Sequence, residues 1–178
     1  MKCAIDVTPT LSTERLLLRG PVYADAEALA RLANDPVLAR MTCSVPHPYA
    51  AADAEADLAR STNRDWEREP GFMIEHPKFG LVGAIGFRPG ARGRPELGGW
   101  LGPAFWNRGY ATEACRAVLD WARRDWRRKL IVAGHFADNP AAGAVLCKAG
   151  FLYTGDVELR WSQARQGPVR TRMMVWLA

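Results

Sequence analysis

The sequence predicts a mixed α/β (α+β) domain, a mostly antiparallel sheet of six to seven strands flanked by about four helices. Three observations lead there. Helical periodicity dominates residues 25–68, an antiparallel meander follows, and a β-α-β-α-β run closes the chain. The two strands around the first helix of that run form a parallel pair, because a crossover helix returns the chain in the same direction.

Each element has a local cause. Met1–Ser12 is of mixed composition and reads as a loosely docked lead-in. Glu14–Gly20 (ERLLLRG) is an apolar strand stopped by Gly20-Pro21. In Asp25–Ala33, Ala26, Leu29, Ala30, Leu32 and Ala33 fall at helical spacing, and Asn34-Asp35-Pro36 ends that helix. Val37–Thr42 makes a short helical turn, and Cys43–Tyr49, with Pro46 and Pro48, is a loop. Ala50–Arg68 is a second amphipathic helix, ended by Pro70-Gly71.

Phe72–Glu75 and Leu81–Phe87 are antiparallel strands joined by a turn over His76–Gly80. Gly83 and Gly86 lie inside this β pattern without a P-loop lysine, so they mark close backbone contact. A basic loop over Arg88–Pro95 leads to the strand Leu97–Leu101. Ala111–Trp126 is a helix, Leu130–Ala133 a strand continuing to His135, and Ala141–Ala149 a helix stopped by Gly150. Phe151–Val157 and Met173–Leu177 are the last strands, separated by a polar loop around Gln163–Pro168. No linker or repeat divides residues 1–178, which fit one domain.

Composition excludes several classes. No apolar run approaches the roughly 20 residues of a membrane span, and the first residues lack a signal-peptide pattern, so a cytoplasmic protein is expected. Four cysteines without a C-x-x-C pair, and only three histidines, predict reduced thiols and no metal. The formal net charge of +5 suits an anionic partner. The basic run Arg123–Lys129 has no interleaved stacking aromatics and reads as a solvated helix end, so nucleic acid is not an expected partner.

The stretch Leu97–Glu113 (LGGWLGPAFWNRGYATE) organises the functional reading. A strand, a glycine turn and a helix N-terminus make an anion cradle. First-turn N–H groups lack helical partners, and the macrodipole favours negative charge. Gly109 allows close backbone approach and Arg108 adds a fixed positive charge.

GGWLGPAFWNRGYATEA followed by NPAAGAVLCKAGF resembles the GCN5-related N-acetyltransferase (GNAT) superfamily, and more narrowly its ribosomal-protein N-terminal branch, over about Arg15–Phe151. The resemblance implies a GNAT fold with a splayed central parallel pair, and acetyl-CoA as co-substrate in that splay. It implies that the pantetheine arm pairs with free backbone near Trp100 and Leu101. It further implies that the pyrophosphate sits on the N–H groups of Asn107, Arg108, Gly109, Tyr110 and Ala111 and on the Thr112 hydroxyl. The phosphate loop reads Trp106-Asn107-Arg108-Gly109-Tyr110-Ala111, with Trp106 where the wider family has arginine or glutamine and this branch commonly has tryptophan. Asn139 would hold the pantetheine arm and Lys148 would approach the phosphates.

Acetyl transfer to an amine needs a proton acceptor, a polarised thioester and a proton for the leaving thiolate. Glu96, at the start of the splayed strand, is the first candidate base, matching the glutamate of histone-type members. Its structural alternative is pairing with Arg94 or another arginine. His135 is the second candidate, titrating near neutrality, with a structural role as its alternative. The usual acids are missing: the family's tyrosine is Leu146 here and the branch's serine is Ala142. Cys147 and Tyr153 are the remaining donors.

The expected activity is direct acetyl transfer to a primary amine, a protein N-terminus or a small molecule, in a ternary complex of monomer or homodimer. The alternative is a weakly active or inactive acyl-CoA-binding module.

Overall fold

The computed structural model describes residues 9–178 apart from residue 64. Eight strands form one sheet: β1 (Leu11–Ser12), β2 (Leu17–Arg19), β3 (Gly71–His76), β4 (Gly80–Pro89), β5 (Pro95–Leu101), β6 (Leu130–Phe136), β7 (Leu152–Ser162) and β8 (Gly167–Leu177). The helices are α1 (Ala26–Ala33), α2 (Pro36–Arg40), α3 (Ala51–Thr62), α4 (Tyr110–Arg124) and α5 (Pro140–Lys148). The sheet order is β1-β2-β3-β4-β5-β6-β8-β7, and β5–β6 is its parallel pair.

The sheet has eight strands instead of six to seven. The expected lead-in lies mostly outside the described residues, but its end, Leu11–Ser12, pairs with β2. The long early helix stops at Thr62, where Asn63 caps it, instead of reaching Arg68. The expected turn at Val37–Thr42 is the helix α2, fixed because the Asp35 carboxylate accepts from the N–H groups of Val37 and Leu38. The last hairpin is much longer than its apolar residues suggested, and its loop shrinks to residues 163–166. Alternation of Leu159 and Trp161 with Glu158, Arg160 and Ser162 carries β7 onward. The glycine reading of β4 holds: a Cβ at Gly83 would lie 2.2 Å from the Trp100 carbonyl oxygen.

Two cores flank the sheet. On one face α4 packs its Val118, Leu119 and Ala122 against Leu97, Leu101, Ile131 and Met174. On the other, Leu29 and Leu58 from α1 and α3 meet Met73 and Leu81, with Trp100 at the margin. The β7–β8 tip folds over the α2 end of this second face. Ser162 Oγ donates to the Thr42 carbonyl at 3.2 Å, Gln163 N–H to Cys43 at 3.0 Å, and Arg165 Nε to Arg40 at 2.7 Å. Among the described residues no helix is long and apolar enough to cross a membrane. The basic run is a capped helix end: Arg123 and Arg124 pair with Asp120, and Arg128 stacks on Trp126.

Candidate active site

The parallel pair is joined by only two register partners, Glu96 with Val132 and Leu97 with Ala133. Beyond Leu97 the two strands separate. Gly102 N–H bonds Val82 and Gly90 N–H bonds Arg94, so the even-numbered residues of β5 direct their backbone groups at β4. The odd-numbered residues therefore face the opening, and Gly99 and Leu101 present its backbone edge. This corrects the expected pairing near Trp100, whose N–H and C=O are committed to Ala84. The Leu101 carbonyl also has a partner, the Trp106 indole N–H at 2.7 Å.

The opening has a glycine floor. Gly98 follows the last paired rung, and a Cβ there would meet nothing within 4 Å. In the continued register it faces Gly134, so neither strand projects a side chain at the start of the splay. This aperture lies on the face that also carries Glu96 and Trp100, since residues two apart share a face.

At the C-terminal end of β5 the chain turns through Asn107 (φ 58°) and Gly109 (φ 81°) into α4. Among the described residues the N–H groups of Asn107 to Thr112 have no protein acceptor; the first bonded one is Glu113 N–H, to the Gly109 carbonyl at 3.0 Å. Free donors and a helix N-terminus converge on one spot, which suits a pyrophosphate. Tyr110 contributes backbone only, because its ring is buried beside His76 and beneath Arg15.

Asn139 caps α5, its Oδ1 accepting the Ala142 N–H at 3.2 Å, and among the described residues its side-chain amide N–H groups have no protein acceptor. Arg165 locks the turn that carries it. Its guanidinium holds both Asp138 oxygens, at 2.7 and 3.1 Å, and this bonding keeps the Asp138 carboxyl below the usual range. Lys148 is the last residue of α5. At 1.5 Å per residue it sits roughly 13 Å along the axis from Asn139, so the two do not act on one atom of a ligand.

The two candidate bases lie on opposite faces of the sheet. Glu96 shares a face with Val132, and His135, three residues further along β6, points to the other. Glu96 is 4% exposed and both its oxygens are engaged. Arg88 Nη2 donates at 2.5 Å, and Arg160 donates from Nη1 at 3.4 Å and Nη2 at 3.1 Å. His135 is buried under α5. Its Nδ1 is 2.8 Å from the Phe136 carbonyl, which can only accept, so Nδ1 carries the proton and Nε2 accepts from Tyr153 Oη at 2.9 Å. His135 offers no free lone pair to an amine at the aperture, whereas the Glu96 carboxylate, accepting three hydrogen bonds, keeps acceptor capacity for a water.

Sequence reading missed the residues that hold the cradle. Arg15 donates Nε to Glu113 Oε2 at 2.8 Å and Nη1 to the Arg108 carbonyl at 3.0 Å. Thr13 Oγ1 and the Arg15 N–H both donate to Glu113 Oε1, at 2.6 and 2.8 Å. Burial would raise the Glu113 carboxyl, but these bonds and the nearby guanidinium hold it below the usual range. No spacing signal links partners almost a hundred residues apart. Among the described cysteines Cys43, Cys115 and Cys147 are free, and burial pushes the Cys115 thiol up to about 12.

Comparison with known proteins fits this geometry. The family model "Acetyltransferase (GNAT) domain" matches residues 15–152. The chain is 31% identical over 160 residues to the uncharacterized N-acetyltransferase YoaA of Bacillus subtilis, covering 83% of this chain and 85% of that protein. Among solved structures, the microcin C7 self-immunity acetyltransferase MccE, in complex with acetyl-CoA and AMP, superposes with a TM-score of 0.83 at 19% identity. That match covers 98% of this chain and 99% of MccE. RimJ of Mycobacterium smegmatis, in complex with CoA-disulfide, gives 0.80 at 20% identity, covering 97% and 89%. The chain belongs to the GNAT family of N-acetyltransferases.

Proposed function

We propose that the protein transfers an acetyl group from acetyl-CoA directly to a primary amine, in a ternary complex formed across the β5–β6 splay. The carrying observation is the set of unpartnered N–H groups from Asn107 to Thr112 at the end of a strand whose Gly99 and Leu101 edge is open. A pyrophosphate on those N–H groups, with Arg108 and the Thr112 hydroxyl beside it, would run the pantetheine arm along Gly99 and Leu101 toward Gly98. Asn139 would hold the arm from α5, and the Trp106 ring, 38% exposed, would cover its outer end. Lys148, beyond the reach of Asn139's ligand atoms, would meet a more distant phosphate.

The amine would approach from the Glu96 face, where Gly98 and Gly134 leave the thioester accessible. Positioning amine and thioester together supplies much of the rate, of the order of 7–11 kcal/mol in well-oriented intramolecular cases. Glu96, with both oxygens held by arginines, would take the ammonium proton through water instead of by direct contact. His135 acts as a positioning residue that fixes β6 beneath α5. With Ala142 and Leu146 at the usual acid positions, solvent water protonates the thiolate.

A protein N-terminus fits an open aperture as well as a small amine does. The ribosomal-protein branch rests on the sequence motifs, since the likeness to RimJ, at 20% identity, speaks for the fold. Purified protein assayed for CoA release against N-terminal peptides, polyamines and amino acids tests the proposal; turnover with at least one acceptor is the expected result. One observation favours a second reading, an acyl-CoA-binding module: both usual acids are absent and both candidate bases are engaged. Tight acetyl-CoA binding without turnover on any acceptor would select that reading.

A further inference from the structure

Given the acetyl transfer proposed above, on which this reading rests, we infer that the acceptor amine carries a carboxylate several bonds from its nitrogen. Arg88, with Arg94 beside it, holds that carboxylate next to Glu96.

Arg88 and Glu96 stand opposite each other on β4 and β5, and Gly98 follows Glu96 on the same face. An amine at the Gly98 opening is thus about 7 Å, two residues along the strand, from the Arg88–Glu96 rung. Arg94 is extended (φ −78°, ψ 137°) and lies two residues before Glu96, so it stands on that face as well. Both arginines are exposed, and the loop between them adds Arg92 and no acidic residue. The carboxylates at this end are already engaged: Glu96 is shared by Arg88 and Arg160, and Glu158 is held by Arg160 at 2.7 Å. Among the described residues Arg92 and Arg94 have no ion pair, and the Arg88 side chain has no partner besides Glu96. Positive charge therefore exceeds negative here, which repels a polyamine and attracts a carboxylate.

Glu96 also aims the Arg88 fork. It accepts one hydrogen of Nη2 at 2.5 Å, and it is itself buried and held by Arg160 from the other side. A guanidinium has two edges of paired N–H groups that share Nη2, with one of its hydrogens on each. Whichever edge Glu96 uses, the other keeps two parallel donors, the geometry that binds a carboxylate bidentately. Because the fork is ordered beforehand, a ligand carboxylate meets it with less entropy to lose. The α-carboxylate of an amino acid is too close to its own nitrogen to span the two residues. The side-chain carboxylate of glutamate, or of an acidic residue second in a peptide, spans them.

Purified protein with saturating acetyl-CoA, assayed on the peptide amides Ala-Glu-Ala, Ala-Gln-Ala and Ala-Lys-Ala and on free glutamate against glutamine, tests this. The expected kcat/KM is at least about ten-fold higher for a Glu acceptor than for its Gln isostere, lower again for Lys, with a Glu preference that shrinks as salt rises. Preference in the peptides alone assigns an acidic N-terminus; preference in the free amino acids alone assigns a small acidic amine. In Arg88→Gln the Glu-over-Gln ratio should fall below about three-fold through a higher KM for the acidic acceptor, and Arg94→Gln should give an intermediate ratio. Equal turnover of Glu and Gln in both pairs, a preference for Lys, or an undiminished ratio in Arg88→Gln overturns the assignment. Should Arg88→Gln fail to fold, the wild-type preference and Arg94→Gln decide. Titration of the N-acetylated peptides into the protein with CoA separates the anion site from the activity. Binding of the Glu product at least about ten-fold tighter than the Gln product, without turnover of any acceptor, would sink the transferase reading and keep the anion site. Equal binding of the two products would sink the anion site.

Discussion

Arg160 on β7 reaches across the splay to Glu96 on β5, its Nη2 3.1 Å from Glu96 Oε2. Only two register pairs otherwise join the halves of the sheet at this point, so the ion pair acts as a strut between them. Arg160 also holds Glu158 at 2.7 Å, and Arg88 grips Glu96 from the other side. The strut fixes the width of the opening in which transfer is proposed to occur.

Removing Glu96 leaves Arg160, a quarter exposed, with one carboxylate instead of two. Breaking a buried pair from one side is costly, so Glu96→Ala should lower stability by about 2–3 kcal/mol in denaturant titration. Glu96→Gln keeps the shape and should cost less. If Glu96 takes the proton through water, kcat in Glu96→Gln falls by about 10²-fold while acetyl-CoA affinity holds. An unchanged kcat would leave Glu96 with the strut role alone.

In the proposed complex, Gly98 would govern access to the thioester. Gly98→Val projects a side chain into open space on the acceptor face, so the fold and acetyl-CoA binding should survive, with the calorimetric Kd changed less than about three-fold. Turnover with amines should fall by at least about ten-fold, most for bulky acceptors. Equal turnover in the variant would mean that the amine reaches the thioester by another route.

The Arg15–Glu113 pair makes the cradle sensitive to acid. The folded-state carboxyl of Glu113 lies below its unfolded value, so its contribution is fully present above the unfolded pKa of about 4.3 and is lost as pH falls through the lower folded value. Thermal midpoints of wild type and Glu113→Gln should therefore differ at neutral pH and converge in strong acid. Arg15→Ala should weaken acetyl-CoA binding by about ten-fold, since it frees the Arg108 carbonyl and loosens the turn at Gly109. A constant gap between the two midpoints down to the lowest measurable pH would contradict the pairing.

Gly143 on α5 leaves room for the His135–Tyr153 bond. A Cβ at this position would lie 2.7 Å from both His135 Nε2 and Tyr153 Oη. Gly143→Ala should thus lower stability despite alanine's better helix propensity, by about 1–3 kcal/mol. Tyr153→Phe removes the donor to a buried ring nitrogen and should cost about 1–2 kcal/mol, with little effect on kcat. A large loss of kcat at constant stability in Tyr153→Phe would instead place this hydroxyl in the chemistry.

The fold and the strand–turn–helix of residues 97–113 were legible in the sequence because their signals are local. Gly109 before a periodic helix, the Pro103 turn and the strand at Leu97–Leu101 each act within a few residues, and the β-α-β order forces the parallel pair. What local pattern could not show is which side chains meet across the chain. Glu96 has the same sequence neighbours whether it is a free base or the anchor of Arg88 and Arg160. Arg15 reads as the polar start of a strand, and only the sheet brings it to Glu113. The length of β7 was hidden for the same reason: its charged inward residues are satisfied by distant partners, and its apolar residues face outward.

Calorimetric titration with acetyl-CoA and with S-acetyl-pantetheine, which has the same thioester arm and no pyrophosphate, tests the central claim most directly. Two or three charge-assisted bonds from Asn107–Thr112 are worth about 1.5 kcal/mol or more each, so acetyl-CoA should bind at least about 10²-fold tighter than the truncated thioester. Equal affinity for the two, or no binding of acetyl-CoA, would contradict the assignment of this loop as the pyrophosphate cradle.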